Sequence, residues 1–316
     1  MKLTVLEEIV LFILDIRLWT GRKKLKEEDL ALNGIDTHQL PPGTLASLGS
    51  KKIISSEALA PFQAMKREAE KILLATGVRF LGGYAVPTDK AAEVEQRLIA
   101  LQTDFQAAKS QLLQQYDAQV NSWIDANPPQ WAPIIRAAID SVTTVDKALQ
   151  FGFTPVAIQP SQALPESDPL QEQTQGLYGQ LCHEIRLMAR TAFAASYAGK
   201  GSITRKALRP LVAMREKLSA LAFLDQQIPP LINSIDESLS HLPSSGPIAG
   251  NDLNLLAGLL SRQLMRMGLP VDQQIEEEDP LGFGDSGDIM NTCTVTLAAS
   301  GTQNPRQPAT ALQWDF

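Results

Sequence analysis

The fold of this chain is decided by a stretch of ten residues, 78–87, which reads VRFLGGYAVP. Two short β-prone runs meet at Gly82-Gly83, and a Gly-Gly pair can adopt the positive φ angles of a two-residue hairpin turn. Gly77 before the stretch is a helix stop, and Pro87-Thr88 at its end is a helix start. The stretch is therefore predicted to be a tight β-hairpin between two helices rather than a flexible linker.

Two interpretations of this hairpin are open at the level of the sequence. In the first, its strands extend a small sheet beside residues 9–19 and bury Phe80 and Tyr84. In the second, the hairpin is an exposed docking tip for a partner, formed by Phe80, Leu81, Gly82, Gly83 and Tyr84. A double Phe80→Ala, Tyr84→Ala variant separates them, because loss of stability supports the sheet and loss of assembly in a folded variant supports the tip.

A helix is predicted on each side of the hairpin. The first covers about 55–77, and the second covers 88–126, where Asn127-Pro128-Pro129 stops it. The second helix would be about 60 Å long at about 1.5 Å per residue. Its apolar residues form a heptad seam of the coiled-coil type: Val94, Leu98, Leu101, Phe105, Ala108 and Leu112. The pattern predicts long antiparallel, coiled-coil-like helical hairpins.

The rest of the chain is also predicted to be largely helical. A third helix is expected over 130–149, followed by a proline-rich linker over 151–169. A second pair of long helices follows, broken by the sequence AGKGS, and its second member spans 208–242 with a kink or break expected at Pro229-Pro230. An apolar helix over 251–268 ends at Gly268.

Strands are expected at few places. Residues 9–19 change from a continuous apolar run to alternation, which is typical of a strand buried first on both faces and then on one. The TGRKKLKEEDL stretch that follows is interpreted as a turn, and 289–298 is a further β-like run. We therefore predict a mainly α protein with a small β part (α+β), whose sheet combines the N-terminal strand and the 78–87 hairpin, with 289–298 as a further candidate strand.

Three regions are predicted along the chain. Residues 1–87 hold the N-terminal strand, a loop, a helix and the apolar Gly-Gly hairpin. Residues 88–270 form the helical hairpins or bundle, interrupted by the linker. Residues 271–316 form an acidic, glycine-rich segment with a short strand and a flexible tail.

The charge of the chain is concentrated at its C-terminal end. The net charge is −7, and from Asp272 onward there are eight acids and a single base, so the remaining 27 acids and 27 bases cancel. The longest apolar run, IVLFIL near the N-terminus, is shorter than the roughly 20 residues that span a bilayer and lacks the features of a signal peptide. We expect a cytoplasmic protein with an acidic tail.

Catalytic and metal-binding patterns are not evident in the sequence. Cys182 and Cys293 show no metal spacing and are expected to be reduced and buried. The three histidines form no H-x-x-H or H-E-x-x-H pattern. No combination of carboxylates stands out as an acid–base pair. We expect a protein that is not an enzyme and that uses no cofactor or metal.

The region after residue 182 is strongly basic. Its turn, Gly199-Lys200-Gly201-Ser202, departs from the phosphate loop G-x-x-x-x-G-K-[ST] and is interpreted as a helix–helix turn capped by Ser202. Eight bases and two acids lie between Cys182 and Lys217. Such a hairpin end attracts phosphates or an acidic partner, although a solvated helix surface is the alternative. The candidate nucleic-acid-binding residues are Arg186, Arg190, Lys200, Arg205, Lys206 and Arg209.

A second basic group and the extreme C-terminus complete the candidates. The group lies near the first strand, is partly offset by the acids at 27–29, and comprises Arg17, Arg22, Lys23, Lys24 and Lys26. At the C-terminus, Trp314 and Phe316 flank an acid at the end of a polar tail. Aromatic side chains in that setting can dock into a partner's groove, with the terminal carboxylate held by donors.

Three stretches together resemble a bacterial domain-of-unknown-function family found on integrative conjugative elements, plasmids and phages: LWTGRKKLKEEDL (18–30), LASLGSKKII (45–54) and PFQAMKREAEKILLATGVRFLGGYAVP (61–87). The resemblance implies a context, because members are often encoded near MoxR-class or cobaltochelatase-like AAA+ ATPases and von Willebrand A-type proteins. It implies no activity and assigns no role to any residue.

The leading hypothesis is a non-catalytic interaction or structural protein of a mobile-element or conflict system. It would assemble with itself as a homo-oligomer, or with an AAA+ ATPase or a von Willebrand A-type protein. The alternative is a DNA-binding protein that uses the basic hairpin 186–217. A third hypothesis is a membrane-acting helical protein. It follows from the apolar 78–87 segment between long helices, although this segment is short for that role.

Overall fold

A four-stranded antiparallel sheet lies between two groups of helices, and its strands follow the order β4 (Val78–Phe80), β5 (Gly83–Pro87), β1 (Ile9–Arg17) and β6 (Gln150–Val156). The computed structural model describes residues 4–31, 34, 40–42, 44–159 and 169–269. After a short helix, α1 (Thr4–Glu7), the chain forms β1 (Ile9–Arg17). The 78–87 hairpin supplies β4 (Val78–Phe80) and β5 (Gly83–Pro87), and Phe12 of β1 lies opposite Tyr84 of β5. The N-terminal strand and the hairpin therefore share a sheet, as the first interpretation predicts.

The fourth strand was not predicted. β6 (Gln150–Val156) pairs along β1 from Leu11 opposite Val156 to Arg17 opposite Gln150, where the sequence had indicated a linker. The prolines misled because they suggested a loop, yet β6 is an edge strand, where Pro155 can be accommodated without breaking the interior of the sheet. The other candidate strand, 289–298, lies outside the described residues.

One face of the sheet is covered by helices that flank the hairpin. α3 (Ser56–Thr76) is capped by Ser55, whose Oγ accepts from the N–H of Ala58, and α4 (Thr88–Asp125) runs antiparallel to it. The ring centroids of Phe62 and Phe105 lie 5.0 Å apart between the two helices. The heptad seam of α4 thus packs against α3 and the sheet within the same chain.

The predicted third helix is divided into shorter pieces. A 3-10 turn (Pro129–Trp131) leads into α5 (Ala132–Arg136), and α6 (Val142–Ala148) begins after a break. In the break, a carboxylate oxygen of Asp140 accepts from Trp19 Nε1 at 3.0 Å, and its carbonyl accepts from Tyr116 Oη at 3.0 Å. The helix is interrupted because these long-range bonds hold Asp140 outside helical geometry and Ser141 caps α6.

The opposite face of the sheet is covered by the second half of the chain. α7 (Pro169–Ser196) is followed by α8 (Arg209–Ala220), α9 (Ile228–Ser240) and α10 (Gly250–Gly258). α10 continues into a π-helical segment (Leu259–Gln263) and a 3-10 turn (Leu264–Arg266), and Gly268 after it has a φ of 71°, as expected of a helix stop.

Two expectations for this half differ from the structure. The helix predicted over 208–242 is broken into α8 and α9, and Pro229-Pro230, where a kink or break was expected, lie just after the break, in the first turn of α9. Proline is tolerated there because the first N–H groups of a helix have no intrahelical acceptor. Ser202 does not cap a helix; it belongs to β7 (Ser202–Ile203), which pairs with β8 (Ile248–Ala249).

The alternation of side chains along the strands divides the core into two clusters. Leu11, Val78 and Phe80 face α7 to α10, whereas Phe12, Tyr84 and Val86 face α3 to α6. Successive strand residues point to opposite faces, so a single sheet supplies both cores. The protein is therefore mainly α with a small antiparallel β part, as predicted.

The chain between β1 and α3 was also interpreted incorrectly. TGRKKLKEEDL contains a strand, β2 (Arg22–Lys24), and a short helix, α2 (Glu27–Ala31), instead of a simple turn. β2 pairs antiparallel with β3 (Ser50–Lys52) to form a separate two-stranded ribbon. Trp19, included in the strand predicted over 9–19, lies beyond the end of β1 and is buried, with its ring centroid 5.7 Å from that of Tyr116 in an edge-to-face arrangement.

Candidate functional site

The tip of the β4–β5 hairpin is a two-residue turn at Leu81-Gly82. Phe80 lies opposite Gly83, and the φ angles of Leu81 and Gly82 are 46° and 76°. Two successive positive φ angles are what a type I′ turn requires. The turn therefore lies one residue earlier than the Gly82-Gly83 turn predicted from the sequence, and a leucine occupies its first central position.

The second glycine of the pair is needed for close packing instead. A Cβ atom on Gly83 would lie 2.6 Å from the carbonyl oxygen of Phe12 in β1, so only glycine allows β5 to approach that strand. Gly77 has the same role, because its Cβ would lie 2.5 Å from the carbonyl oxygen of Ala85. Both glycines therefore serve the junction between α3, the hairpin and β1.

The hairpin is anchored on both faces, and of its predicted docking residues only those at the tip are accessible. Phe80 and Tyr84 are 5% and 6% exposed, and the Arg79 guanidinium lies 5.4 Å from the centroid of the Tyr84 ring. Leu81, by contrast, is 46% exposed. Of the predicted docking residues in this stretch, the structure buries Phe80, Gly83 and Tyr84 and leaves Leu81 and Gly82 at the surface. Trp314 and Phe316 lie outside the described residues.

A buried ion pair connects the hairpin to both groups of helices. Lys217 of α8 is 2% exposed; its Nζ lies 2.6 Å from Glu184 Oε2 of α7 and donates to the carbonyl oxygen of Leu74 in α3 at 2.8 Å. Glu184 also accepts from the backbone N–H of Arg79 in β4. Burial lowers the pKa of the Lys217 ammonium, although the charge of Glu184 opposes the shift. Both residues belong to the charged stretch from Cys182 to Lys217, which the sequence pattern places at the surface of a helical hairpin.

Several other cations of the 186–217 hairpin also have internal partners. Arg186 Nη1 donates to the carbonyl oxygen of Met267 at 2.6 Å, and Arg205 Nη1 donates to that of Pro243. Arg215 forms two hydrogen bonds of 2.8 Å with Asp236. Three exposed candidates have no side-chain partner within the described part of the chain: Lys200, Lys206 and Arg209. Arg190 is exposed and has a partner.

The ribbon of β2 and β3, which we call the basic ribbon, gathers five cations on six residues. Arg22 lies opposite Lys52, Lys23 opposite Lys51, and Lys24 opposite Ser50. Because side chains alternate along a strand, Lys23 and Lys51 share one face and the other three cations share the opposite face. We call these the inner face (Lys23, Lys51) and the outer face (Arg22, Lys24, Lys52).

The inner face is neutralised by two carboxylates. Lys23 Nζ lies 2.6 Å from Asp140 Oδ1, and Lys51 Nζ lies 2.6 Å from Asp29 Oδ1. Asp29 is 7% exposed and also accepts from the backbone N–H of Lys26 at 2.8 Å. Burial by itself would raise the pKa of Asp29, but the hydrogen bonds from Lys51 and Lys26 bring it below its ordinary value.

The outer face is exposed to solvent. Arg22, Lys24 and Lys52 are all exposed, and none of the described carboxylates forms an ion pair with Arg22 or Lys24. Lys52 Nζ donates to Ser56 Oγ at 3.0 Å. The ribbon itself is well anchored, since Ile53 and Ile54 directly after β3 are almost fully buried.

A cavity of about 340 Å³, the tryptophan pocket, adjoins the ribbon. Pro128-Pro129 ends α4 and turns the chain, so that Trp131 lies near Trp123 of the last turn of α4. Trp123 Nε1 donates to the carbonyl oxygen of Lys52 at 3.1 Å. The pocket is lined by Leu25, Leu30, Lys51, Lys52, Trp123, Asn127, Trp131, Ile134 and Ile135.

The sequence indicated only half of this surface. Arg22, Lys23 and Lys24 were recognised as basic, but Lys51 and Lys52 were not connected with them. A signal was present: each basic run has a glycine before it, Gly21 with φ 61° and Gly49 with φ 81°, and an apolar residue after it. Those features are typical of two short paired strands.

The residues that the structure describes contain no group of three or more His, Cys, Asp or Glu side chains that could hold a metal ion. Cys182 is free and buried, and burial raises the pKa of its thiol, which disfavours the reactive thiolate. None of the described helices combines the length and apolarity needed to cross a membrane.

Comparison with known proteins gives one match. Residues 6–264 match the family described as Protein of unknown function (DUF3150). No curated protein and no solved structure matches the chain. The match covers β1 to the last 3-10 turn, so it includes the sheet, both groups of helices, the basic ribbon and the tryptophan pocket.

Proposed function

The chain belongs to the DUF3150 family, and we propose that it is a non-catalytic interaction component of a bacterial mobile-element or conflict system that docks onto an AAA+ ATPase through the tip of its β4–β5 hairpin. The genomic context implied by the resemblance of residues 18–87 supports the class of partner. The positive φ angle and the exposure of Leu81 are the observation that supports the hairpin tip as the docking surface.

Leu81 combines two unfavourable features in one residue. It is the one non-glycine residue with positive φ among the described residues, and left-handed backbone costs an ordinary L-residue about 1–2 kcal/mol. The residue is also 46% exposed, so only part of its apolar surface is buried to offset that strain. Asparagine or glycine would avoid both penalties. A strained and exposed leucine favours a role for this side chain outside the folded monomer.

The anchoring of the hairpin makes the tip suitable for docking. Phe80 and Tyr84 are held in opposite core clusters, and the N–H of Arg79 is bonded to Glu184 at 3.3 Å. A partner would therefore meet a preorganised leucine rather than a loop that must be ordered on binding. The heptad seam of α4 is a weaker candidate, because it already packs within the chain.

The test is the substitution Leu81→Asn. It creates the dipeptide preferred in a type I′ turn, so we expect stability to be unchanged or to rise by about 0.5–1 kcal/mol. Co-purification with a tagged MoxR-class AAA+ ATPase from the native host is expected to be lost. Ile99→Gln is the matched control, because Ile99 is a similarly exposed apolar residue on α4 at 49%.

Two results would contradict the proposal. The Leu81→Asn protein could retain the ATPase, or the Ile99→Gln control could lose it equally. A Leu81→Asn protein that keeps the ATPase but changes mass in solution would instead make the tip a contact between copies of this chain. Leu81→Gly gives a second test with the same relief of strain and no side chain.

A further inference from the structure

We propose that the outer face of the basic ribbon and the adjoining tryptophan pocket form a binding site for single-stranded nucleic acid. Phosphates would contact Arg22, Lys24 and Lys52, and a base would enter the pocket beside Trp131. The site is separate from the 186–217 hairpin indicated by the sequence, and it does not depend on docking to an ATPase through Leu81.

Within the described part of the chain, the cations on the outer face of the ribbon lack the carboxylate ion-pair partners that those on the inner face have. Like charges directly opposite each other on paired strands are destabilising, and the ribbon contains two such pairs, Lys23–Lys51 and Arg22–Lys52. The inner pair is compensated by Asp140 and Asp29. On the outer face, Lys52 has a hydroxyl, while the described carboxylates leave Arg22 and Lys24 without an ion pair. The fold explains the inner cations, and an external anion would explain the outer ones.

The spacing of the outer-face cations indicates what kind of anion they would bind. Arg22 and Lys24 are two residues apart on one strand, about 7 Å along the ribbon, and Lys52 lies across from Arg22. A row of separated cations suits a chain of phosphates better than a single small anion. Arginine and lysine bound to phosphates are also the main source of affinity in nucleic-acid complexes.

The tryptophan pocket adjoins the outer face and offers aromatic side chains beside the cations. Lys52 belongs to both surfaces: its side chain is on the outer face, and its carbonyl accepts from Trp123 Nε1 inside the pocket. A cavity of about 340 Å³ lies within the usual range for small-ligand sites, roughly 300–1,000 Å³. Proteins that bind single strands combine a basic track with aromatic side chains on which bases stack. The ribbon and pocket supply both parts side by side.

Fluorescence anisotropy with the full chain and labelled (dT)20 and (rU)20 tests the site. Binding is expected at about 50 mM salt, with log K falling as log salt rises at a slope of about −2 for three phosphate contacts. Trp131→Ala is expected to weaken binding by roughly 5- to 150-fold, the range for loss of one stacked base.

Charge reversal locates the site. Arg22→Glu with Lys24→Glu is expected to weaken binding by about tenfold or more and to flatten the salt slope. The control, Lys200→Glu with Lys206→Glu, makes the same change of charge on the helical hairpin and should leave binding unaltered. If the ribbon variant does not fold, as judged by its melting temperature, Arg22→Gln with Lys24→Gln replaces it.

Specific outcomes overturn the inference. One is the absence of binding to either oligonucleotide at low salt. Another is that Lys200→Glu with Lys206→Glu weakens binding whereas Arg22→Glu with Lys24→Glu does not. That result would place the site at the helical hairpin of α7 and α8. A third is normal binding by Trp131→Ala together with equal competition by polyglutamate, which would identify a surface for acidic protein partners.

Discussion

Two clusters of positive side chains in this protein are used in opposite ways. In the helical hairpin from Arg186 to Lys217, most cations with known partners bind carbonyls or carboxylates of neighbouring elements, and Lys217 is inside the core. In the basic ribbon, the ion pairs that the described residues form with carboxylates are on the inner face, so Arg22 and Lys24 on the outer face keep their charge. The hairpin is the more basic of the two in sequence, yet only three of its eight cations (Lys200, Lys206 and Arg209) are exposed without a side-chain partner among the described residues, the same number as the cations on the outer face of the ribbon.

The comparison shows that a count of bases does not measure a binding surface. A charge is available to a partner only if the fold brings no opposite charge or carbonyl to it. The following substitutions test whether hairpin cations stabilise the fold while outer-face cations do not.

The largest effect is expected at Lys217. Lys217→Ala leaves Glu184 without its charge partner in the core, and breaking a buried pair in this way costs about 3–5 kcal/mol. Urea unfolding monitored by circular dichroism measures the change. Lys200→Ala on the exposed turn of the same hairpin is the control and should stay within about 0.5 kcal/mol of the wild type. Equal effects in the two variants would remove the distinction between core and surface cations.

A smaller loss is expected at Arg186. Its guanidinium donates to the carbonyl oxygen of Met267 beside the stop at Gly268, and Arg186→Ala should cost about 1.5–3 kcal/mol, the range for a hydrogen bond to a charged group. Lys206→Ala provides the matched exposed control. If Arg186→Ala left the free energy of unfolding unchanged, this bond would not hold the end of the α10 segment.

The inner face of the ribbon should make stability depend on pH. The folded-state pKa of Asp29 lies below its ordinary value of 3.8, so its stabilising contribution is complete above that value and is lost as the pH falls through the folded-state pKa. Asp29→Asn should lower stability at pH 7 by about 1.5–3 kcal/mol and remove this part of the acid dependence. Urea unfolding at pH 7, 4 and 3 measures both effects, and an unchanged acid dependence in the variant would contradict the assignment.

The smallest effect is expected on the outer face, with the opposite sign. Arg22→Thr removes the repulsion between Arg22 and Lys52 and introduces a residue that favours strands, so stability should rise by a few tenths of a kcal/mol. The gain should shrink as salt is added, because exposed charges are screened. Melting temperatures at low and high salt test this, and a clear loss of stability would mean that Arg22 serves the fold.

The elements that sequence reasoning located best were those with local signals. α3 has a serine cap, an apolar stripe and a terminal glycine, and α4 has a seam bounded by Pro87 and Pro128-Pro129. The hairpin between them was also located, although its turn was placed one residue late. A Gly-Gly pair suggested the turn, whereas Gly83 is required by the approach of the Phe12 carbonyl, a contact 71 residues away in the chain.

The elements that were missed depend on distant partners. β6 carries a proline and is a strand because β1 offers it an edge. The helix expected over 130–149 breaks because Asp140 binds Trp19 and Lys23, more than 100 residues earlier. The sequence located the hairpin tip as a candidate docking surface. Because Phe80 and Tyr84 are buried on opposite sides of one sheet, only Leu81 and Gly82 of the predicted docking residues in this hairpin are exposed.

The sequence by itself determined the bounds of the elements that have local signals, such as α3 and α4, since caps, periodicity and turn residues act over about four positions. Only the tertiary structure decided which charges are internal and which face solvent. Lys217 and Lys24 are equally basic in a list of residues, but contacts spanning 33 and 143 positions bring Glu184 and the Leu74 carbonyl to Lys217. No described carboxylate reaches Lys24 in the same way. The electrostatic environment of a side chain depends on long-range packing, and local sequence patterns do not encode it.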